Sequence, residues 1–236
     1  MNAATLIGAC QTLVFDLDGT LIDTAADICA TLSLALLDCG LSALTPGEIP
    51  PDMHSPLHGI VAAQLAASGH DSLLVSDVVL AYEQRSARQP HAASQVYPGV
   101  SRFLASRLRG GCRLAVCTNK RHAHAVAVLA HYDLLGFFSH VVGADSAAHA
   151  KPDPAPLLLA LELLQADPAE SLLIGDSHVD ASCAQRSGVG FVWFRPAYPA
   201  GAVLQQPVSA SFVNYAELEQ SAQSAHTVDE AANSTT

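Results

Sequence analysis

A short apolar run that ends in two closely spaced carboxylates constrains this chain more than any other feature. Thr12 to Phe15 has the composition of a buried strand, and the segment Asp16 to Thr20 follows it directly. Because side chains alternate along an extended chain, Asp16 and Asp18 share one face, and Gly19 permits a tight turn. Two unit charges about 4 Å apart repel by about 4 kcal/mol at an effective dielectric constant of about 20. A proton on one acid or a cation between them is therefore expected, and Mg²⁺ is the usual cation.

The same arrangement recurs twice further along the chain. Arg113 to Cys117 is an apolar run that continues into Thr118-Asn119-Lys120, and Ser171 to Gly175 continues into Asp176. Helical patterns alternate with these runs, which indicates a parallel sheet. Open parallel sheets bind ligands at the carboxyl ends of their strands, so the polar residues after the three runs are expected to meet there.

Residues 23–91 differ from the rest because they contain three helical patterns and no strand. Apolar residues recur at helical spacing from Ile28, from Leu57 and from Leu74, and Thr24 to Asp27 has the pattern of a capping box. We therefore predict an α/β fold: a Rossmann-like parallel sheet with helices on both faces, formed by residues 1–22 and 92–219, and an all-helical insertion of residues 23–91. Residues 220–236 have little to bury and are predicted to be a disordered tail.

The set of motifs resembles that of the haloacid dehalogenase superfamily. The resemblance rests on Asp16 to Thr20, Thr118, Lys151, and Gly175-Asp176 followed by Asp180, in this order. It implies that residues 23–91 are a cap that closes over the active site. Two further segments, Leu21-Ile22-Asp23-Thr24 and Thr118-Asn119-Lys120, look most like those of phosphoglycolate phosphatases.

The resemblance also implies a phosphatase mechanism. Asp16 would be the nucleophile that forms an aspartyl-phosphate, and Asp18 would donate a proton to the leaving group and later accept one from water. Thr118 and Asn119 would bind phosphoryl oxygens. Lys151 would orient the nucleophile and offset the charge of the transferring group.

A Mg²⁺ cofactor belongs to the same expectation. By resemblance, the ion would be held by Asp16, the backbone carbonyl of Asp18 and Asp176, with Asp180 behind these ligands. The four acids carry four negative charges, against one positive charge from Lys151. A phosphate dianion is therefore expected to need a divalent metal.

Several alternatives stay open. Dehalogenases lack the second acid of the first motif, so Asp18 favours phosphate chemistry, but sugar phosphomutases keep both acids. A phospho-signalling receiver domain has its phosphoaccepting Asp on a later strand and no helical insertion, and a non-catalytic binding protein of the same family is a third possibility. The sequence assigns no role to three histidines: Pro56 disfavours a helical metal site at His54 and His58, and His178 is expected to be exposed in a first helical turn.

Charge bears on the partners of this chain. The net charge of −11 argues against nucleic-acid and acidic-membrane partners, because phosphate affinity is supplied by clustered Lys and Arg. No apolar run is long enough for a membrane span, and the six cysteines form no Cys-x-x-Cys pair. We predict a cytoplasmic monomer or homodimer that acts on a small phosphorylated metabolite.

The distribution of basic residues bears on the substrate. No Lys or Arg precedes Arg85, and the only two lysines, Lys120 and Lys151, lie in or beside the motifs. A cap that selects a second anionic group needs a cation directed at it. We therefore predict that phosphoglycolate is not strongly preferred, and that the distal part of the substrate is neutral or polar, such as a sugar or nucleoside, or is reached only by core residues.

Overall fold

The computed structural model describes residues 2–88, 93–196 and 203–218. The strands are β1 (Thr12–Phe15), β2 (Ile22–Asp23), β3 (Gln95–Val96), β4 (Arg113–Cys117), β5 (His140–Val142), β6 (Ser171–Gly175), β7 (Gly190–Phe194) and β8 (Ala210–Phe212). The α-helices are α1 (Ala3–Ala9), α2 (Ala25–Asp38), α3 (Leu57–Ala67), α4 (Val75–Ser86), α5 (Val100–Arg109), α6 (His122–His131), α7 (Ala155–Leu164) and α8 (His178–Ser187).

Six strands form one parallel sheet, in the order β5-β4-β1-β6-β7-β8. This sheet confirms the predicted α/β class. The bounds of β1, β4 and β6 coincide with the three apolar runs, whereas β8 begins one residue before the predicted Ser211. The first strand of the chain thus lies inside the sheet, flanked by β4 and β6, which follow it by about 100 and 160 residues.

Helices cover both faces of this sheet, so its strands are buried on both sides, as parallel strands usually are. Leu13 and Phe15 of β1 pack with α1, α5 and α6, while Val14 packs on the opposite face with α7 and α8. The alternation along four residues thus divides the hydrophobic core into two layers. The polar residues that follow β1, β4 and β6 lie beyond these layers, at the carboxyl ends of the strands.

Helices α2, α3 and α4 form a third hydrophobic cluster, separate from the two layers of the sheet. Leu32, Val61 and Val78, one from each helix, are fully buried in it. Where the chain leaves the core and returns to it, β2 and β3 pair antiparallel, with Ile22 opposite Val96. Two-residue strands contain no alternation, and the sequence did not predict them; α1 was not predicted either.

The predicted capping box at the start of α2 is wrong. Thr24 is at the N-cap position but its side chain makes no capping hydrogen bond. The Asp27 carboxylate instead accepts hydrogen bonds from the Ala93 amide at 3.2 Å and from the Ser94 hydroxyl. Asp27 therefore joins α2 to the returning chain rather than to its own first turn.

Two other predictions concern positions that the structure does not describe. Residues 220–236, the predicted tail, lie outside the described residues, as does the predicted boundary between residues 91 and 92. Within the part of the chain that the structure describes, no helix is long and apolar enough to cross a bilayer.

Candidate active site

The carboxyl ends of β1, β4 and β6 meet beside a cavity of about 670 Å³ between the sheet and the helical insertion. Asp16 and Asp18 follow β1, Thr118 follows β4 and Asp176 follows β6, and all four line the cavity. Lys151 lies beneath them, fully buried. The structure thus brings together residues that are separated by up to 160 positions in sequence.

Lys151 joins two of the acids. Its Nζ lies 2.8 Å from Asp16 Oδ1 and 2.6 Å from Asp180 Oδ1, and it donates to the Cys117 carbonyl at 2.8 Å. Burial lowers the pKa of Lys151, but attraction by Asp16 and Asp180 outweighs burial and raises this pKa well above the usual lysine value. Lys151 is therefore a fixed positive charge beside Asp16.

Asp180 is held by the first turn of α8. Ser177 is the N-cap residue, and it forms a capping box with Asp180: the Ser177 amide and hydroxyl donate to Asp180 Oδ2 at 3.1 and 2.5 Å. Both oxygens of Asp180 thus have donors within the protein.

Asp176 is held from two sides. The Thr20 hydroxyl donates to Asp176 Oδ1 at 3.1 Å, and the Trp193 indole donates to the Asp176 carbonyl at 3.0 Å. Gly19 has a φ of +79°, and a Cβ there would lie 2.5 Å from Asp176 Oδ2. The glycine of the first motif is therefore required both for its turn and for the close approach of Asp176.

The acids at the strand ends are held in a site that disfavours their charge. Burial and repulsion by Asp180 raise the pKa of Asp16 to about 7, against the opposing effect of Lys151. Burial, with repulsion by Asp180 and Asp16, also raises the pKa of Asp176 well above the usual carboxyl value. A cation between Asp16 and Asp176 would relieve this repulsion, because opposite charge favours the ionised form.

The donor set fits a hard divalent cation. Asp16, Asp176 and Asp180 each offer an oxygen, and these oxygens lie within 4.8 Å of one another. Asp180 is already bound by Lys151 and Ser177, whereas Lys151 and the Leu17 amide both bind Oδ1 of Asp16, which leaves its other oxygen for a ligand. Asp16 and Asp176 are thus the acids best suited to an ion, and oxygen ligands of this kind suit Mg²⁺.

Lys120 is the site residue whose role sequence reasoning missed. Its Nζ donates to both oxygens of Asp18, at 3.0 and 2.8 Å, so the Asp18 side chain faces a lysine. The predicted charge balance of four acids against Lys151 alone is therefore wrong, because Lys120 adds a second positive charge. Its signal was present in the sequence, since Lys120 is one of only two lysines.

Thr118 and Asn119 lie where β4 ends. Thr118 is buried, and its hydroxyl accepts a hydrogen bond from the Lys120 amide at 3.2 Å. The Asn119 side-chain amide donates to the His54 carbonyl at 3.1 Å and to the Lys151 carbonyl at 3.0 Å. Asn119 thus connects the core to the loop that precedes α3.

The three histidines without an assigned role are now placed. His54 lies in that loop, with its Nδ1 3.8 Å from Asp176 Oδ2, and burial lowers its pKa. Its ring meets that of His178 edge-on at 6.3 Å, and His178 is the exposed first residue of α8. His58 is in α3 whereas His54 precedes this helix, so the two do not share a helical face.

Comparison with known proteins identifies the family. A family model described as haloacid dehalogenase-like hydrolase matches residues 13–194. The chain belongs to this family. A phosphoglycolate phosphatase from Cereibacter sphaeroides is 33% identical over 208 residues, which cover 87% of this chain and 94% of that protein. Another, plasmid-encoded, from Cupriavidus necator is 36% identical over 200 residues, or 83% and 85% of the two chains.

Solved structures of this family agree with the fold. A haloacid dehalogenase-like hydrolase from Bacteroides fragilis superposes with a TM-score of 0.80, over 89% of this chain and 99% of that one. The two sequences are 24% identical, so this similarity supports the architecture of the haloacid dehalogenase-like hydrolases rather than a substrate.

Proposed function

We propose that this chain is a divalent-metal-dependent phosphatase that hydrolyses a small phosphomonoester through an aspartyl-phosphate on Asp16. Phosphatase is the enzyme class that the family and the relatives indicate. The observation that carries the proposal is the pair of buried acids Asp16 and Asp176 at adjacent strand ends, beside Lys151 and an open cavity. In this proposal, residues 23–91 are the cap and residues 1–22 and 92–219 are the catalytic core.

The first chemical step uses three side chains. The Asp16 carboxylate attacks phosphorus and the bond from phosphorus to the ester oxygen breaks. Asp18, in its protonated form and with one oxygen released from Lys120, gives its proton to the departing alkoxide. Thr118 and the backbone amide of Asn119 hold the phosphoryl oxygens. Lys151, 2.8 Å from Asp16, keeps the carboxylate oriented and offsets the charge that spreads over the phosphoryl group.

The second step restores the enzyme. Water attacks the phosphorus of the aspartyl-phosphate and gives a proton to Asp18, and the bond from phosphorus to Asp16 breaks to release phosphate. Mg²⁺, held by Asp16, the Asp18 carbonyl and Asp176, would neutralise charge on the phosphoryl oxygens. With it, a phosphate dianion can enter a site that holds four acids and two lysines.

The proposal is tested by hydrolysis of p-nitrophenyl phosphate with Mg²⁺ and with EDTA. We expect release of phosphate that EDTA abolishes and that Asp16→Asn lowers by at least about a thousandfold, because the amide cannot attack phosphorus. Asp133→Asn, a matched change at an exposed residue, should leave the rate unchanged. Equal rates in Mg²⁺ and EDTA would contradict the metal requirement, and isomerisation of a sugar phosphate without phosphate release would indicate a mutase.

A further inference from the structure

The cap contributes an apolar wall to the cavity. The cavity volume of about 670 Å³ lies within the range of about 300–1,000 Å³ that is typical of pockets for drug-sized ligands, and a two-carbon acid phosphate would leave most of it empty. The larger apolar and aromatic side chains of the cap that line it are Ile28 of α2, Ile49 and Met53 of the following loop, Leu57 and Ile60 of α3, and Val79 and Tyr82 of α4. This wall offers surface for apolar contact rather than charge.

Both cations of the cavity already have partners. All eleven Lys and Arg residues of the chain lie within the described residues, and only Lys120 and Arg121 line the cavity. Lys120 is bound by Asp18. Arg121 Nη1 lies 3.0 Å from Glu83 and its Nε lies 3.3 Å from Asp145. A carboxylate on the substrate would have to share each cation with an acid that already offsets its charge.

The charge of the cavity also opposes a second anion. Five acids line it against these two bases, namely Asp16, Asp18, Asp23, Glu83 and Asp176. Three histidines also line the cavity, namely His54, His58 and His124. His54 and His124 add little positive charge at neutral pH, because burial lowers the pKa of each. The phosphate can be compensated by metal and Lys151 at the strand ends, but a distal carboxylate would meet the acidic side of the cavity or the apolar wall.

We infer that the preferred substrate is a phosphomonoester whose leaving group has an apolar body, not one with a second anionic group. The inference rests on the phosphatase activity proposed above and specifies its substrate class. It keeps the prediction from sequence that a second anionic group is not preferred, but replaces the neutral or polar distal part, such as a sugar or nucleoside, with an apolar one. Each methylene buried against the wall should raise kcat/KM by about two- to fourfold.

A homologous series of esters tests this inference. We would measure kcat/KM for ethyl, butyl and hexyl phosphate and for phosphoglycolate, with Mg²⁺ present. We expect a steady rise with chain length, and hexyl phosphate at least tenfold above phosphoglycolate. A flat series, or phosphoglycolate as the best substrate, would overturn the inference while leaving phosphatase activity intact. No turnover of any ester, including p-nitrophenyl phosphate, would instead refute the proposed function and the inference with it.

A pair of variants on α4 tests the wall directly. Val79→Arg places a cation in the cavity and should raise the ratio of phosphoglycolate to hexyl phosphate activity at least tenfold. Leu80→Arg makes the same change on the exposed side of the helix, where Leu80 is 55% exposed, and should leave the ratio unchanged. Should Val79→Arg fail to fold, Val79→Thr should still reduce the gain per methylene. An unchanged ratio and an unchanged gain in the variants that fold would contradict the inference.

Discussion

Asp18 is the single residue whose role is most open to a direct test. If it protonates the leaving alkoxide, Asp18→Asn should lower kcat for an alkyl phosphate by about 10²–10⁴-fold, which is the usual contribution of general acid catalysis. It should lower kcat for p-nitrophenyl phosphate much less, because p-nitrophenolate leaves without a proton. The measurement is kcat for both substrates in the wild type and the variant.

Asp133→Asn is the matched control for this prediction, because it makes the same change at an exposed residue outside the cavity. We expect it to leave kcat for both substrates unchanged. Equal losses on both substrates in Asp18→Asn would show that Asp18 is not the general acid.

A second prediction concerns the effect of Asp16 on the stability of the metal-free protein. Its pKa is raised to about 7, from about 4 in an unfolded chain. Between about pH 4 and pH 7, the folded protein keeps the Asp16 proton, whereas the unfolded chain has released it. The free energy of unfolding therefore falls over this range, and the loss is complete once pH rises through about 7. In EDTA, the wild type should lose on the order of 2–4 kcal/mol relative to Asp16→Asn between pH 4 and pH 8.

Urea denaturation of both proteins at several pH values gives this difference, and using the difference cancels the titration of other groups. Asp16→Asn should be the more stable protein at pH 8, since its amide is neutral at every pH. A difference that is independent of pH would mean that Asp16 titrates normally.

At the residue scale, the sequence indicates where the polar side chains meet, while their roles stay predictions. Asp16, Thr118 and Asp176 were named from their place after apolar runs and Lys151 from its order among the motifs, and the structure brings all four to one edge of the sheet. The pairing of Lys120 with Asp18 was not predicted, because the strand pattern brings the two loops together but does not determine which side chains in them contact one another.

Among the secondary-structure elements, helix α8 begins with a capping box that is also part of the candidate active site. Its capping box places Asp180 fully buried against Lys151. Asp180→Ala removes one side of a buried ion pair and should destabilise the fold by about 3–5 kcal/mol. Ser177→Ala removes only the hydroxyl and should cost about 1 kcal/mol, as the loss of a cap usually does.

Both values come from urea denaturation of the variants at pH 7 in EDTA. A loss for Asp180→Ala no larger than that for Ser177→Ala would mean that the ion pair adds nothing to the cap. Two-state unfolding should be checked for each variant, because the comparison requires it.

The strands show why some elements were predictable and others were not. β1, β4 and β6 are buried on both faces, so their apolar runs stand out from the sequence around them. β2 and β3 have two residues each and are defined by pairing with one another across more than seventy positions. The start of α2 was misjudged for a similar reason, since the partner of Asp27 is the returning chain.

For the whole molecule, the acid pair predicts a strong effect of metal on stability. A ligand at about 100 times its Kd adds about 2.7 kcal/mol, which raises the Tm of a protein of this size by roughly 5–10 °C. We expect this increase when Mg²⁺ replaces EDTA. Differential scanning calorimetry measures it.

Asp176→Asn should abolish the increase in Tm, because it removes one of the two acids best suited to the ion. Asp133→Asn should preserve it. An increase of the same size in Asp176→Asn would place the ion elsewhere.

The central position of β1 has a consequence for synthesis of the chain on the ribosome. Helices α2 to α4 find their partners within residues 25–86, but β1 pairs only with β4 and β6. At a translation rate of about 5–20 residues per second, β1 waits roughly 5–20 seconds for β4 to be made. During that interval the nascent chain carries an apolar strand, Thr12–Phe15, with both edges unpaired, so this strand is open to pairing with other chains.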